Sequence, residues 1–193
     1  NPARYLTADA RRPQVTEHTM LPADELAAAF RAAGWKDLTN RRDTLTVAGQ
    51  EIALVGVDDP HLHLDRFPTS TRGHHPITTS GRHPAADLRL GVTHAPYRRV
   101  LQAMHDDGSD LILAGHTHGG QLCLPFWGAL VTNCDLDTRR AKGLHGWPGA
   151  RPDLPQGAES TWLHVSAGLG TSPYAPVRFA CRPEATLLPL VGR

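Results

Sequence analysis

Cysteine is scarce in this sequence and never closely paired. Cys123, Cys134 and Cys181 lie far apart, and no Cys-x-x-Cys occurs. That excludes a cysteine zinc knuckle, and an odd, widely spaced set does not suggest a disulfide framework. Three buried, reduced thiols are the simplest expectation. Long apolar runs are missing too: none approaches the ~20 residues of a membrane-spanning helix. Charge of one sign is not concentrated either. The formal net charge is +1, and pairs such as Arg11-Arg12 and Arg139-Arg140 read as solvated surface rather than a nucleic-acid footprint. No Gly-x-Ser-x-Gly is present to carry a serine nucleophile, and no P-loop to cradle a nucleotide phosphate. A signal peptide is not visible. The sequence starts Asn1-Pro2-Ala3 without a methionine, consistent with a processed or trimmed protein, so that absence carries little weight. Location stays open between cytoplasmic and membrane-associated.

What the sequence has in excess is histidine, twelve residues against three cysteines. Its 193 residues, 40% of them apolar, suffice for one domain with a substantial core. Charged residues at 20% argue against a disordered chain.

Along the chain, residues 22–34 read as a helix. Pro22 suits its first turn, Asp24 and Glu25 its positive end, and Gly34 its stop. Leu26, Ala29, Phe30 and Ala33 share one face, which predicts core packing. Residues 44–48 and 51–57 read as a hairpin turning at Gly49. Residues 60–86 form a long His-, Pro- and Ser-rich loop. An apolar strand then ends at His94 and leads into a helix with Tyr97, Val100, Leu101 and Met104 on its buried face. A further strand, residues 110–115, runs into His116. Strand–helix–strand predicts an α/β layer arrangement. Residues 148–160 read as a second loop, and residues 161–167, 177–181 and 185–191 as three closing strands.

The chemistry centres on Gly115-His116-Thr117-His118-Gly119-Gly120. It follows an apolar strand, and ligands in α/β sheets bind at the carboxyl ends of strands. Glycines there remove bulk and permit backbone angles that other residues avoid. His94, in Val92-Thr93-His94-Ala95-Pro96, also ends a strand. Two adjacent parallel strands with a helical crossover would bring these imidazoles together as metal ligands. A hydrogen-bonded strand-end histidine is the plainer alternative for His94 alone.

Taken in order, His-Ala-Pro, Gly-His-Thr-His-Gly-Gly-Gln and Leu124-Pro125-Phe126 resemble the last motifs of the calcineurin-like metallophosphoesterases. Gly56-Val57-Asp58-Asp59-Pro60, Val165–Ser172, Val177-Arg178-Phe179 and Arg182-Pro183-Glu184 are similar to segments of the YkuE-like bacterial branch. The resemblance runs from about residue 20 onward. It implies a four-layer α/β/β/α sandwich, of which the chain would be the C-terminal half. It also implies hydrolysis of a phosphomonoester or phosphodiester by a water that two divalent metals, Mn, Fe or Zn, activate. By the family's pattern His94 and His116 bind one ion and His118 the other. Asp58, Asp59 and Gly119 are then candidates to line the substrate pocket. The two aspartates serve equally well as strand terminators through turn hydrogen bonds.

The family's earlier motifs are not matched. No Gly-Asp and no Gly-Asn pair occurs, and the one Asp-x-His, Asp59-Pro60-His61, lies too close to His94 to be the first motif. The expectation is a single partial domain over residues 1–193 that needs the first half of the same fold as its partner. That unseen half would bring the bridging carboxylates, and any membrane anchor would lie there. Three imidazoles alone would hold one ion, loosely. Two other readings stay open. One is a degenerate homologue that is non-catalytic and binds at most one metal. The other is a His-rich metal module over residues 59–83.

Overall fold

A computed structural model of the chain describes residues 22–69, 86–172 and 176–191. The chain divides into two compact units, one reaching Asp37 and the other built from Leu38–Ser172 and Pro176–Arg193. In the first, α1 (Ala23–Ala32) carries Asp24 and Glu25 in its first turn and Arg31 in its last. These charges suit the helix dipole. Arg31 also pairs with Asp37 at 2.7 Å. The expected core stripe of α1 is not buried: Leu26, Ala29, Phe30 and Ala33 are all exposed. Within its own described unit a lone helix has no second element to bury that face against. Phe30 stacks on Trp35 instead, with ring centroids 5.0 Å apart.

The second unit holds one six-stranded sheet. Its strands are β1 (Arg41–Val47), β2 (Gln50–Gly56), β3 (Leu88–Thr93), β4 (Leu111–Ala114), β7 (Gly143–Trp147) and β8 (Thr161–Val165). Their order is β1-β2-β3-β4-β8-β7. The four central strands β2, β3, β4 and β8 are mutually parallel, and β1 and β7 close the edges antiparallel. The architecture is therefore α/β, as the alternating pattern predicts. β5 (Cys123–Leu124) and β6 (Gly128–Ala129) form a separate short hairpin.

The crossover from β3 to β4 is α2 (Arg98–Asp106), whose Val100, Leu101 and Met104 are buried as the spacing predicts. They pack on Ile112, Leu163 and Val165, with Leu136 and Trp147 completing the cluster. Each such side chain contributes about 1.5–3 kcal/mol by leaving water. Gly91 on β3 makes room for this contact, since a Cβ there would lie 2.7 Å from the Met104 sulfur. The other face of the sheet carries Val92, Leu113 and His164 in register. They border a cavity of about 430 Å3 together with Ser166, Thr186 and Leu188.

Two of the closing strands do not form. Pro176–Arg178 and Cys181–Val191 have no regular structure, and the one ladder contact there is an isolated bridge between Leu122 and Phe179. A strand needs a neighbour to pair with, and Pro183 and Pro189 lack the N–H that pairing uses. Loop 148–160 is irregular apart from a single 3-10 turn at Pro155–Gly157. Of loop 60–86, residues 60–69 are irregular and 70–85 lie outside the described residues. Cys123 and Cys181 are buried thiols, and Cys134 is only half-buried.

Candidate metal centre

Parallel pairing sets the carboxyl ends of β2, β3, β4 and β8 side by side, so the segments that follow them meet at one edge. Gly115 donates its N–H to the His94 carbonyl at 2.9 Å, and Ser166 donates to Ala114 at 2.8 Å. His94 directly follows β3, and His116 lies two residues beyond β4. Their rings meet: His94 Nε2 is 3.2 Å from His116 Nδ1, with centroids 5.0 Å apart.

The far side of the His116 ring fixes which nitrogen carries the proton. His116 Nε2 lies 3.1 Å from the Asn133 carbonyl and 3.4 Å from the Asn133 side-chain nitrogen. A carbonyl only accepts, so the shorter contact requires an Nε2–H, and the lone pair then sits on Nδ1, facing His94. Backbone-carbonyl orientation of the non-ligating nitrogen is what a metal-binding imidazole needs. Two nitrogens 3.2 Å apart, each about 2.0–2.1 Å from a shared ion, would subtend about 100°, between octahedral and tetrahedral values. The pair therefore fits two positions of one metal. No group of three or more His, Cys, Asp or Glu side chains spaced to hold a metal occurs among the described residues.

A third imidazole stands beside the pair. The His61 ring lies 4.7 Å from that of His116, and its Nδ1 is 3.0 Å from the Tyr97 hydroxyl. Its loop is tied from several directions. Asn40 accepts from the N–H groups of Asp58 and Arg66, both at 2.8 Å, and donates to the Leu64 carbonyl. Arg99 donates to the Pro60 carbonyl at 2.9 Å and pairs with Asp65 at 2.6 Å. Asp58 and Asp59 both act in turn hydrogen bonds, Asp58 accepting from the Asp59 N–H and Asp59 from the His61 N–H. The pKa of His116 is lowered, first by burial and then by the neighbouring His61 and His94, while Asn133 and Asp59 oppose the shift.

His118 does not join the pair. It begins a short 3-10 turn, and its imidazole makes no hydrogen bond among the described residues. Its backbone carbonyl is held instead, accepting from Arg178 at 3.0 Å and from the Cys181 thiol at 3.4 Å. His116, His118, Gly119, Gly120 and Gln121 all have positive φ. A Cβ at Gly119 would lie 2.8 Å from the Cys181 sulfur, and one at Gly120 would collide with Ala129. Thr117 pins the turn, donating to the Ala141 carbonyl at 2.7 Å and accepting from Gly119. Arg178 closes it from outside through the carbonyls of Ala167, Gly168 and Gly170.

Sequence reasoning left His61, Tyr97 and Asn133 outside the site. The Asp-x-His spacing at residue 59 was the available signal for His61. Of the loop histidines, His63 is exposed, and His74, His75 and His83 lie outside the described residues.

These features define a class: an α/β protein with paired imidazoles at the carboxyl edge of a parallel sheet. Comparison narrows it. The chain is 29% identical over 180 residues to the phosphodiesterase YaeI of Escherichia coli K12, covering 93% of this chain and 55% of that protein. It is 35% identical over 160 residues to the uncharacterized metallophosphoesterase YkuE of Bacillus subtilis 168, covering 82% and 48%. The uncharacterized YpbG of the same strain is 27% identical over 168 residues, covering 87% and 53%. The chain thus spans about half the length of the curated relatives it matches. No family model and no solved structure matches it. The chain is related to the calcineurin-like metallophosphoesterases, over their C-terminal part.

Proposed function

We propose that this chain carries the histidine half of a phosphoesterase active site, in a protein that hydrolyses phosphomonoesters or phosphodiesters. One observation carries the reading: His94 Nε2 and His116 Nδ1 converge at 3.2 Å, with the His116 lone pair turned inward by the Asn133 carbonyl. His94 and His116 would hold one divalent ion, Mn, Fe or Zn, and His118 a second, with carboxylates from the remainder of a four-layer domain completing the set. Metal bound there would supply positive charge that polarises the phosphoryl oxygens of the ester. The chain's own groups prepare the site. Asn133 keeps His116 in one tautomer, and Tyr97 holds His61 beside it. Arg178 and Cys181 fix the backbone under His118. Asp58, Asp59 and Gly119 would line the pocket for a small phosphate ester.

The test is His116→Ala and His94→Ala in the intact protein. Each is expected to lower bound metal, read by elemental analysis, and to reduce phosphodiester hydrolysis by about 10²–10³-fold. Wild-type metal content and turnover in His116→Ala would sink the reading. Unchanged metal content with lost turnover would move His116 from ligand to substrate contact. Among the described residues no helix is long and apolar enough to cross a membrane.

A further inference from the structure

Two of the most exposed large apolar side chains among the described residues sit beside the histidine turn. At the tip of the β5–β6 hairpin Phe126 is fully exposed and Trp127 is 81% exposed. Leu124, Leu130 and Val131 flank them, each about half exposed. From Gly119 to Cys134 the sequence has no Asp, Glu, Lys, Arg or His. The tip therefore offers no charge for a salt bridge.

The base of the hairpin is different. Residues 137–142 and 177–184 pack there, through the buried cluster of Cys123, Ala129, Ala141 and Cys181 and through the Leu122–Phe179 bridge. Those two stretches carry five basic residues against two acidic ones. Arg140 and Lys142 pair with Asp137 and Glu184, and Arg178 is committed to backbone carbonyls, so the exposed Arg139 and Arg182 are the cations left to face an anionic surface. An aromatic tip above a basic collar is the pattern of an element that enters the headgroup region of a bilayer. A protein partner fits less well. Two aromatic side chains bury about 300–500 Å2, short of the ~800 Å2 per partner in a stable interface. A convex tip would also need a matching groove, which a lipid surface does not.

The hairpin is built into the site. Ala129 on β6 lies against Gly120, and Asn133, four residues further on, holds His116. We propose that the β5–β6 hairpin is an interfacial wedge that inserts Phe126 and Trp127 into an anionic lipid surface, and that the site's substrate is an amphiphilic phosphate ester presented from that surface. The substrate half of this statement rests on the phosphoesterase reading; the wedge does not. It also differs from anchoring by a segment outside this chain, because the contact would lie at the histidine turn itself.

The test uses the full chain and vesicles of phosphatidylethanolamine and phosphatidylglycerol with brominated acyl chains. Co-sedimentation and quenching of tryptophan fluorescence are expected, with both weakened by high salt. In a Trp35→Phe background, Trp127→Phe should remove the quenching, since Trp147 is buried and Trp162 is half-buried. Phe126→Ser/Trp127→Ser should weaken vesicle binding about tenfold or more, with the thermal midpoint unchanged because both side chains already face solvent. Quenching that survives in Trp35→Phe/Trp127→Phe would overturn the wedge. So would a wild-type dimer, seen by sedimentation, that the double variant splits without any vesicle binding. For the substrate, hydrolysis is measured in the intact protein that also supplies the carboxylates: there the Phe126→Ser/Trp127→Ser variant should lose about tenfold in kcat/KM on a vesicle-borne acylated ester and stay within about twofold on soluble bis-p-nitrophenyl phosphate. Equal losses on both would overturn the lipid substrate. Vesicle binding with neither ester hydrolysed by the wild type would leave the wedge standing and remove the phosphoesterase reading.

Discussion

Between β1 and β2 the chain reverses through Ala48 and Gly49, with φ of 51° and 81°. Past β4 it again enters left-handed backbone, at His116, His118, Gly119, Gly120 and Gln121. The local conformations are alike, and the surroundings are not. Nothing lies within 4 Å of where a Gly49 side chain would begin, whereas Gly119 meets Cys181 and Gly120 meets Ala129. The first turn joins two strands, matching the primed hairpin turns that suit strand twist. The second sets an imidazole at a site, and several non-glycine residues there accept backbone angles costing of order 1–3 kcal/mol each. Packing from β6, Thr117 and Arg178 must offset that cost, so the histidine turn should fail from outside as readily as from within.

The comparison breaks most readily at Gly120→Ala. A methyl group there meets Ala129 at unfavourable φ, and a loss of about 3–4 kcal/mol in denaturant unfolding is expected. A loss under about 1 kcal/mol would mean that β6 yields and does not clamp the turn. Next comes Arg178→Ala, which takes one donor from the carbonyls of His118 and Gly168 and the guanidinium donor from those of Ala167 and Gly170. It should cost about 2–3 kcal/mol and reduce metal uptake although Arg178 bears no ligand atom. Stability loss without any change in metal uptake would show that the turn holds itself.

Acidification should act more gently. His116 and His164 both have pKa values lowered chiefly by burial, so the unfolded chain binds protons more readily than the folded one. Their contribution is complete above about pH 6.5 and is lost as pH falls through the lowered folded values. The thermal midpoint should therefore drop between about pH 7.5 and pH 5.5, and His164→Gln should flatten that slope. A midpoint that rises on acidification would contradict the sign. Smallest is Gly49→Ala, expected to cost about 1 kcal/mol, from backbone strain alone. If it matched Gly120→Ala, surroundings would not distinguish the two turns.

Local pattern carried the sheet's centre. The apolar runs of β3 and β4, with the Val100, Leu101 and Met104 stripe of α2 between them, specify a parallel crossover. That crossover alone brings His94 to His116. His61 was hidden because its position depends on Asn40, Arg99 and Tyr97, three residues from separate segments that sequence spacing cannot bring together. The β5–β6 hairpin escaped notice because strands of two residues show no alternation to read. Residues 177–181 and 185–191 misled in the opposite way. Their composition suits strands, but a strand is a relation to a neighbour, and composition says nothing about the neighbour. The α1 stripe failed for the same reason.

Arg178 gives the histidine turn an order in time. The guanidinium that holds the His118 carbonyl and the loop after β8 comes some sixty residues later in the chain than the turn it secures. During synthesis the N-terminal parts leave the ribosome first. β3, α2 and β4 can therefore pair and pack while the turn between His116 and Gln121 still lacks its outer clasp. The turn gains that clasp only after Arg178 and Cys181 emerge. A ribosome stalled before residue 178 would display a formed β3–α2–β4 unit whose His118 carbonyl still lacks the Arg178 and Cys181 donors.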